Sequence, residues 1–276
     1  MSIYKLGRRE PSNAPALLFK TILKAIPAHP VASNYLTPFD TWKVLGNFEY
    51  GDCVSVSWSN MRRLMTATLT DHEVYPTLEQ VLELYKTQNP NFPDDDMGMD
   101  IQVMLNHIRK NGDPLGTKPL AFSKLDVHNL QEIKAALYIF GGLILGVAIQ
   151  QGGMNDFGEG RPMDWHAGED IIGLHAVLTG GYMGNCFDDV RFITWGRESA
   201  MTAAFWQELV ANRYGEAWVV IWPENLGTRQ FIEGIDLPTL ASAFKDLTDE
   251  ELPIPILDLE QKVEKLWTGH PDLHLI

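Results

Sequence analysis

Cys53, in Tyr50-Gly51-Asp52-Cys53-Val54-Ser55, and His175, in Gly173-Leu174-His175-Ala176-Val177, are the residues of this chain whose types suit covalent chemistry. A thiol attacks as its thiolate, and an imidazole held nearby can take the proton and later return it to a leaving group. Placement at the first turn of a helix lowers a thiol pKa, whereas a carboxylate such as Asp52 approaching the sulfur would raise it. Taken singly, each residue also suits ordinary packing: a lone cysteine in an apolar helix and a histidine in an apolar strand are both common in cores. The chemistry depends on the two meeting.

The elements that would bring them together follow from periodicity. From Cys53, the positions Val54, Trp58, Met61, Leu64, Met65 and Thr68 recur at three- and four-residue steps, which predicts a helix with Cys53 in its first turn. Thr77 with Gln80 and Asn129 with Glu132 have capping-box spacing, and a third helix is expected from Met99 to Lys110, closing at Gly112. The apolar run Leu143 to Ile149 reads as a strand buried on both faces, followed by a long loop from 150 to 172. Further strands are expected at 174–179, 190–195 and 216–221, with a helix from Thr202 to Val210. Helices first and a mostly antiparallel sheet after them predict an α+β fold. The organisation reads as an extended arm over 1–46 packed on the domain, a domain over 47–224, and a Pro-punctuated acidic extension over 225–276 with short helices at 245–251 and 257–266.

Composition narrows the function. A net charge of −14 repels phosphate backbones and anionic membranes, and the basic residues from Lys5 to Arg9 are too thin a patch to reverse that. No apolar run is long enough to span a bilayer, and the first residues lack the layout of a secretion signal, so a soluble, cytoplasmic protein is expected. Two cysteines, Cys53 and Cys186, give no disulfide framework, and the histidines and cysteines show no paired-ligand spacing, so neither metal nor cofactor is expected. Asp94-Asp95-Asp96 reads as a solvated turn.

The Cys and His contexts, with Gly180-Gly181-Tyr182 and Phe192-Ile193-Thr194-Trp195-Gly196, resemble the papain-like cysteine peptidases over roughly residues 45 to 222. The resemblance implies a helical N-terminal half with a Cys-bearing central helix and a barrel-like antiparallel sheet in the C-terminal half. Gly46-Asn47, Phe140-Gly141-Gly142 and Glu216-Ala217-Trp218 more narrowly resemble papain-fold proteins of tailed bacteriophages and some bacteria.

By that resemblance Cys53 is the nucleophile and His175 the base, with Asn47, six residues before the nucleophile, as an oxyanion donor. Trp195 would shield the site, and Trp165 in the long loop would line the cleft. The family's imidazole-orienting Asn is replaced by Ile193, which leaves Thr194, Asp188 or Asp189 as substitutes. Two functions are implied. One is a hydrolase of peptide or peptidoglycan amide bonds acting through a Cys53 thioester. The alternative is a weakened or inactive papain-fold structural protein that assembles with virion or other subunits, or with copies of itself.

Overall fold

The computed structural model describes residues 4–12, 14–70, 72–184 and 189–254. A single turn α1 (Phe19–Ile22) and a two-residue strand β1 (Ser33–Asn34) precede the helix expected at Cys53, α2 (Cys53–Leu69). Its N-terminal two thirds are buried all round, polar Ser55, Ser57, Ser59 and Asn60 included. Ser55 and Ser57 donate to the carbonyls of Asp52 and Cys53, which lets hydroxyls enter an apolar interior. Next come α3 (Leu78–Lys86), opened by the Thr77–Gln80 capping box, and α4 (Ile101–Asn111), capped by Asp100.

A strand that the sequence reading missed, β2 (Ala121–Leu125), interrupts the helical half. α5 (Leu130–Phe140) is capped by Asn129 and closed by left-handed Gly141. β3 (Leu143–Gln150) is buried along its whole length, as its unbroken apolar run implies. The expected loop after it is in part a helix, α6 (Gln151–Gly158), despite three glycines. Tertiary contacts override the poor propensity there. Glu169 accepts from the Gly152 amide, and the Asp156 carboxylate binds both His166 and Arg161.

The remaining strands are β4 (Ile171–Tyr182), β5 (Val190–Thr194), β6 (Arg197–Met201) and β7 (Glu216–Ile221). Between β6 and β7 the expected helix is a turn, α7 (Ala203–Phe205), running on as a π-helix over 206–211. All sheet pairings are antiparallel, in the order β2-β7-β3-β4-β5-β6, with β1 beside β4.

Alternate residues feed two cores. Val177, Ala217 and Val219 face the one covered by α1, α5 and α6, whereas Ala176, Leu178, Trp218 and Val220 face the one containing Cys53, α3 and α4. Alternation along each strand thus seats α2 against β4, where Cys53 meets the residues around His175.

Past residue 224 the chain folds back onto the domain. α8 (Arg229–Gly234) packs on α5, and α9 (Leu237–Thr248) packs on α1, eight residues earlier than the expected 245–251 helix begins. Asp236 caps α9 and Pro238 sits in its first turn, a start signal that places the helix there. The expected 257–266 helix lies outside the described residues. No helix among the described residues is long and apolar enough to cross a membrane.

Candidate active site

Cys53 is the first residue of α2, behind the turn Gly51-Asp52. Asp96 fixes that turn, both carboxylate oxygens accepting from the Gly51 amide at 2.9 and 3.1 Å, while Tyr85 donates to the same carboxylate. One member of the Asp94-Asp95-Asp96 run is therefore a structural anchor rather than a solvated turn residue. The Cys53 thiol lies against the backbone N–H groups of Ala176, the residue after His175, and of Gly7.

His175 sits on β4, fully buried, with Nε2 at 2.6 Å from the Thr194 hydroxyl and Nδ1 without a hydrogen-bonding partner. The Trp195 indole stacks on the imidazole at 4.3 Å, 21° from parallel. Both neighbours come from one tight hairpin: Trp195 and Gly196 have positive φ, 44° and 78°, and join β5 to β6. Strand alternation explains the expected gap at Ile193. Its side chain faces the Cys53 core, so Thr194, one residue on, reaches the ring. Asp189 instead pairs with Arg191, and Asp188 lies outside the described residues, as does Cys186.

Asn47 is buried in the turn before Gly51, its Oδ1 unpartnered. Trp165 does not join this group. It lies half-exposed after α6, in a segment held by Gln150 and Asp156, and no described hydrogen bond or ring contact links it to Cys53 or His175.

The cleft over this pair is filled by the chain's own residues 4–10. Gly7 O accepts from the Met99 amide and Arg9 N donates to the Met99 carbonyl, each at 2.8 Å, while Arg8 N donates to Leu174 O at 3.1 Å. Trp195 Nε1 donates to Lys5 O at 3.2 Å, and the Tyr4 ring packs on Trp195 and Phe157. Three glycines permit this approach: a Cβ on Gly7 would stand 2.0 Å from Gly51 O, and one on Gly98 2.0 Å from Gly7 O. The Arg8 guanidinium is buried and ion-paired with Glu216 at 2.8 Å.

Closure sets the electrostatics. Burial pushes the Cys53 thiol up to about 12, with Asp52 adding to the rise and the Ala176 amide and Arg8 opposing it. Burial also pushes His175 down to about 3, and the Arg8 charge lowers it further. Near neutrality both are uncharged, so the closed site holds a thiol and a neutral imidazole rather than an ion pair. No hydrogen bond joins them. Asp52, buried with both oxygens unpartnered, is pushed up to about 8, burial being the main cause and Asp96 a lesser one. Among the described residues no His, Cys, Asp and Glu cluster could hold a metal ion.

The roles of Arg8, Glu216, Gly7 and Asp96 escaped the sequence reading, which placed Asp96 in a solvated turn and Glu216 only in a motif. The available signal was a Gly-Arg-Arg step in an otherwise acidic chain.

No family model and no curated protein matches the chain. Solved structures do. Xylellain, a cysteine protease from Xylella fastidiosa, superposes with a TM-score of 0.61 at 15% identity, over 80% of this chain and 97% of that one. ProCathepsin B S9 from Trypanosoma congolense gives 0.53 at 10% identity, over 80% and 86%. The digestive procathepsin L2 proteinase from Tenebrio molitor larval midgut gives 0.50 at 14%, over 80% and 79%. The chain therefore has the fold of the papain-like cysteine proteases, a helical N-terminal half and an antiparallel sheet, with α2 packed on β4.

Proposed function

We propose that this chain is a cysteine hydrolase of amide bonds, held closed by residues 4–10. The observation that carries the reading is the arrangement at α2 and β4. A thiol opens a buried 17-residue helix beside a histidine whose Nε2 is held by Thr194 and whose Nδ1 is left over. For Nδ1 to accept the thiol proton, Nε2 must carry its own hydrogen and donate it to Thr194 Oγ1.

The Cys53 sulfur then attacks the substrate carbonyl. Oxyanion charge builds at the N-terminus of α2, near the Cys53 N–H and the side chain of Asn47. Imidazolium returns the proton to the departing amine, and water taken up by the same base hydrolyses the thioester. The substrates are peptides or peptidoglycan cross-bridges. Hydrolysis of a peptide and muropeptide library, measured with the arm displaced by Gly7→Val, should disappear in a Gly7→Val/Cys53→Ala variant; activity persisting without Cys53 overturns the reading.

A second reading is favoured by the completely buried, uncharged pair and by Ile193 in the position where the family carries a polar residue. In that reading the chain is a structural papain-fold protein, such as a component of a tailed-bacteriophage virion, whose arm is a permanent part of its core. An arm-displaced protein with a reactive Cys53 that cleaves no member of the library supports it.

A further inference from the structure

The strap leaves one side chain more deeply committed than its backbone contacts need. Arg8 buries its guanidinium completely, donating from one terminal nitrogen to Glu216 Oε1 at 2.8 Å and from the other to the Tyr214 carbonyl at 2.5 Å. Carrying a charge into an interior is costly unless the receiving site is already built to pair it. Here it is. Glu216 begins β7 with its side chain 1% exposed, and its second oxygen is fixed by Trp218 Nε1 at 2.7 Å, so Oε1 is aimed before any guest arrives. Gly146 on β3 forms the wall against which the planar group lies; a Cβ there would come within 2.8 Å of the guanidinium carbon.

We infer that the space now holding Arg8 is a substrate pocket in which Glu216 selects an arginine side chain, so that the hydrolase takes arginine-bearing peptides. The inference rests on the hydrolase reading above and adds its substrate class. With the strap out, Glu216 keeps a buried oxygen without a donor, which penalises an apolar guest and favours a cation. The pocket belongs to the reaction centre: the Arg8 charge acts on both Cys53 and His175, and the Gly7 amide touches the thiol. Outward from Tyr214 it adjoins a cavity of about 890 Å³ lined by Glu10, Glu169 and Asp170, with Arg213 its one cation. That lining suits a basic peptide.

The test uses the full chain carrying Gly7→Val and Cys53→Ala, so that the cleft is open and nothing is turned over. Fluorescent peptides differing only in arginine or citrulline, its neutral isostere, are titrated by polarisation. The arginine peptide should bind at least about 30-fold more tightly, and Glu216→Gln should erase the difference, since truncating a buried charge pair typically costs that much or more. Equal binding of the two peptides, or a preference that survives Glu216→Gln, overturns the inference.

Should the double variant not fold, the unaltered chain answers. Excess arginine peptide should compete with the strap and speed alkylation of Cys53, whereas citrulline peptide should not; equal effects again overturn it. Turnover by Gly7→Val with Cys53 intact separates the two claims. Cleavage without arginine preference sinks the pocket and spares the hydrolase. Glu216-dependent arginine binding without cleavage spares the pocket and sinks the hydrolase.

Discussion

Replacing Gly7 by valine should open the cleft, and the structure sets the size of the effect. A Cβ at residue 7 would lie 2.0 Å from the Gly51 carbonyl oxygen and 2.3 Å from its Cα, both backbone atoms of the turn that Asp96 pins. Neither partner can yield by the ångström or more required without dismantling the start of α2, so the strap must move. Its displacement breaks the Gly7–Met99 and Arg8–Leu174 hydrogen bonds and misaligns Arg8 with Glu216. Two backbone hydrogen bonds at about 1 kcal/mol each and a weakened buried ion pair together remove about 3–5 kcal/mol from the closed state. At 1.4 kcal/mol per decade the open population rises by about two to three and a half orders of magnitude.

The readout is the second-order rate of Cys53 alkylation by iodoacetamide at pH 7.5, followed by peptide mapping so that Cys186 is counted apart. In the unaltered chain the buried thiol, pushed up to about 12, reacts slowly. Gly7→Val should react at least about 100-fold faster, the lower end of that range. A folded Gly7→Val protein whose Cys53 remains as inert as before, or an unaltered chain that already reacts fast, would refute the argument that the strap controls the thiol.

Thr194→Val keeps the shape but removes the hydroxyl from Nε2; in the Gly7→Val background it should lower kcat by about 10- to 100-fold with little change in KM, and Thr194→Ser should restore most of the loss. Asp113→Ala strands the buried Arg62, which has Asp113 at 3.1 Å and Trp222 under its guanidinium, and should destabilise the fold by about 3–5 kcal/mol in urea titration; a change under 1 kcal/mol would contradict this. The pH dependence of stability is set by opposing groups. His175, pushed down to about 3, favours folding less as pH falls below its ordinary 6.5. Asp52, pushed up to about 8, favours folding less as pH rises from its ordinary 3.8 towards 8. The two offset each other between about pH 4 and 6.5; above that Asp52 still lowers stability, and so does His166, which its hydrogen bond to Asp156 holds above the ordinary imidazole range. Urea midpoints should therefore fall between pH 6.5 and 8 in the unaltered chain and fall less steeply in Asp52→Asn; the same decline in both would show that another group is responsible.

The parts of the fold that were legible in the sequence are those whose signals are local. The apolar steps from Val54 to Met65, the Thr77 and Asn129 caps and the unbroken run from Leu143 each decide their own element, and the structure places those elements within a residue or two. β2 was missed because its pairing is non-local: Ala121–Leu125 is a strand by virtue of lying beside β7, almost a hundred residues away. α6 was missed because three glycines argue against a helix that Glu169 holds from outside and that its own Asp156 ties to Asp164 and His166 further along the chain.

The site divides along the same line. Cys53 at a helix start and His175 in a strand carry their own contexts, and the hairpin Trp195-Gly196 is a short-range turn. The strap is different in kind. The Gly7-Arg8-Arg9 step stands out in an acidic chain but does not mark Arg8 for burial, because basic residues beside a Pro- and Asn-rich stretch read as surface. Its place depends on Glu216, more than two hundred residues on, and on glycines at 7, 51, 98 and 146. Each of those glycines alone is unremarked; only assembled do they make room for a backbone and a guanidinium. The same assembly keeps the catalytic pair neutral, because the strap that fills the cleft also excludes the water that would restore charge to Cys53 and His175. A reading of residue types therefore reaches the chemistry of the open site, whereas the state in which the chain holds it closed is a property of contacts between distant segments.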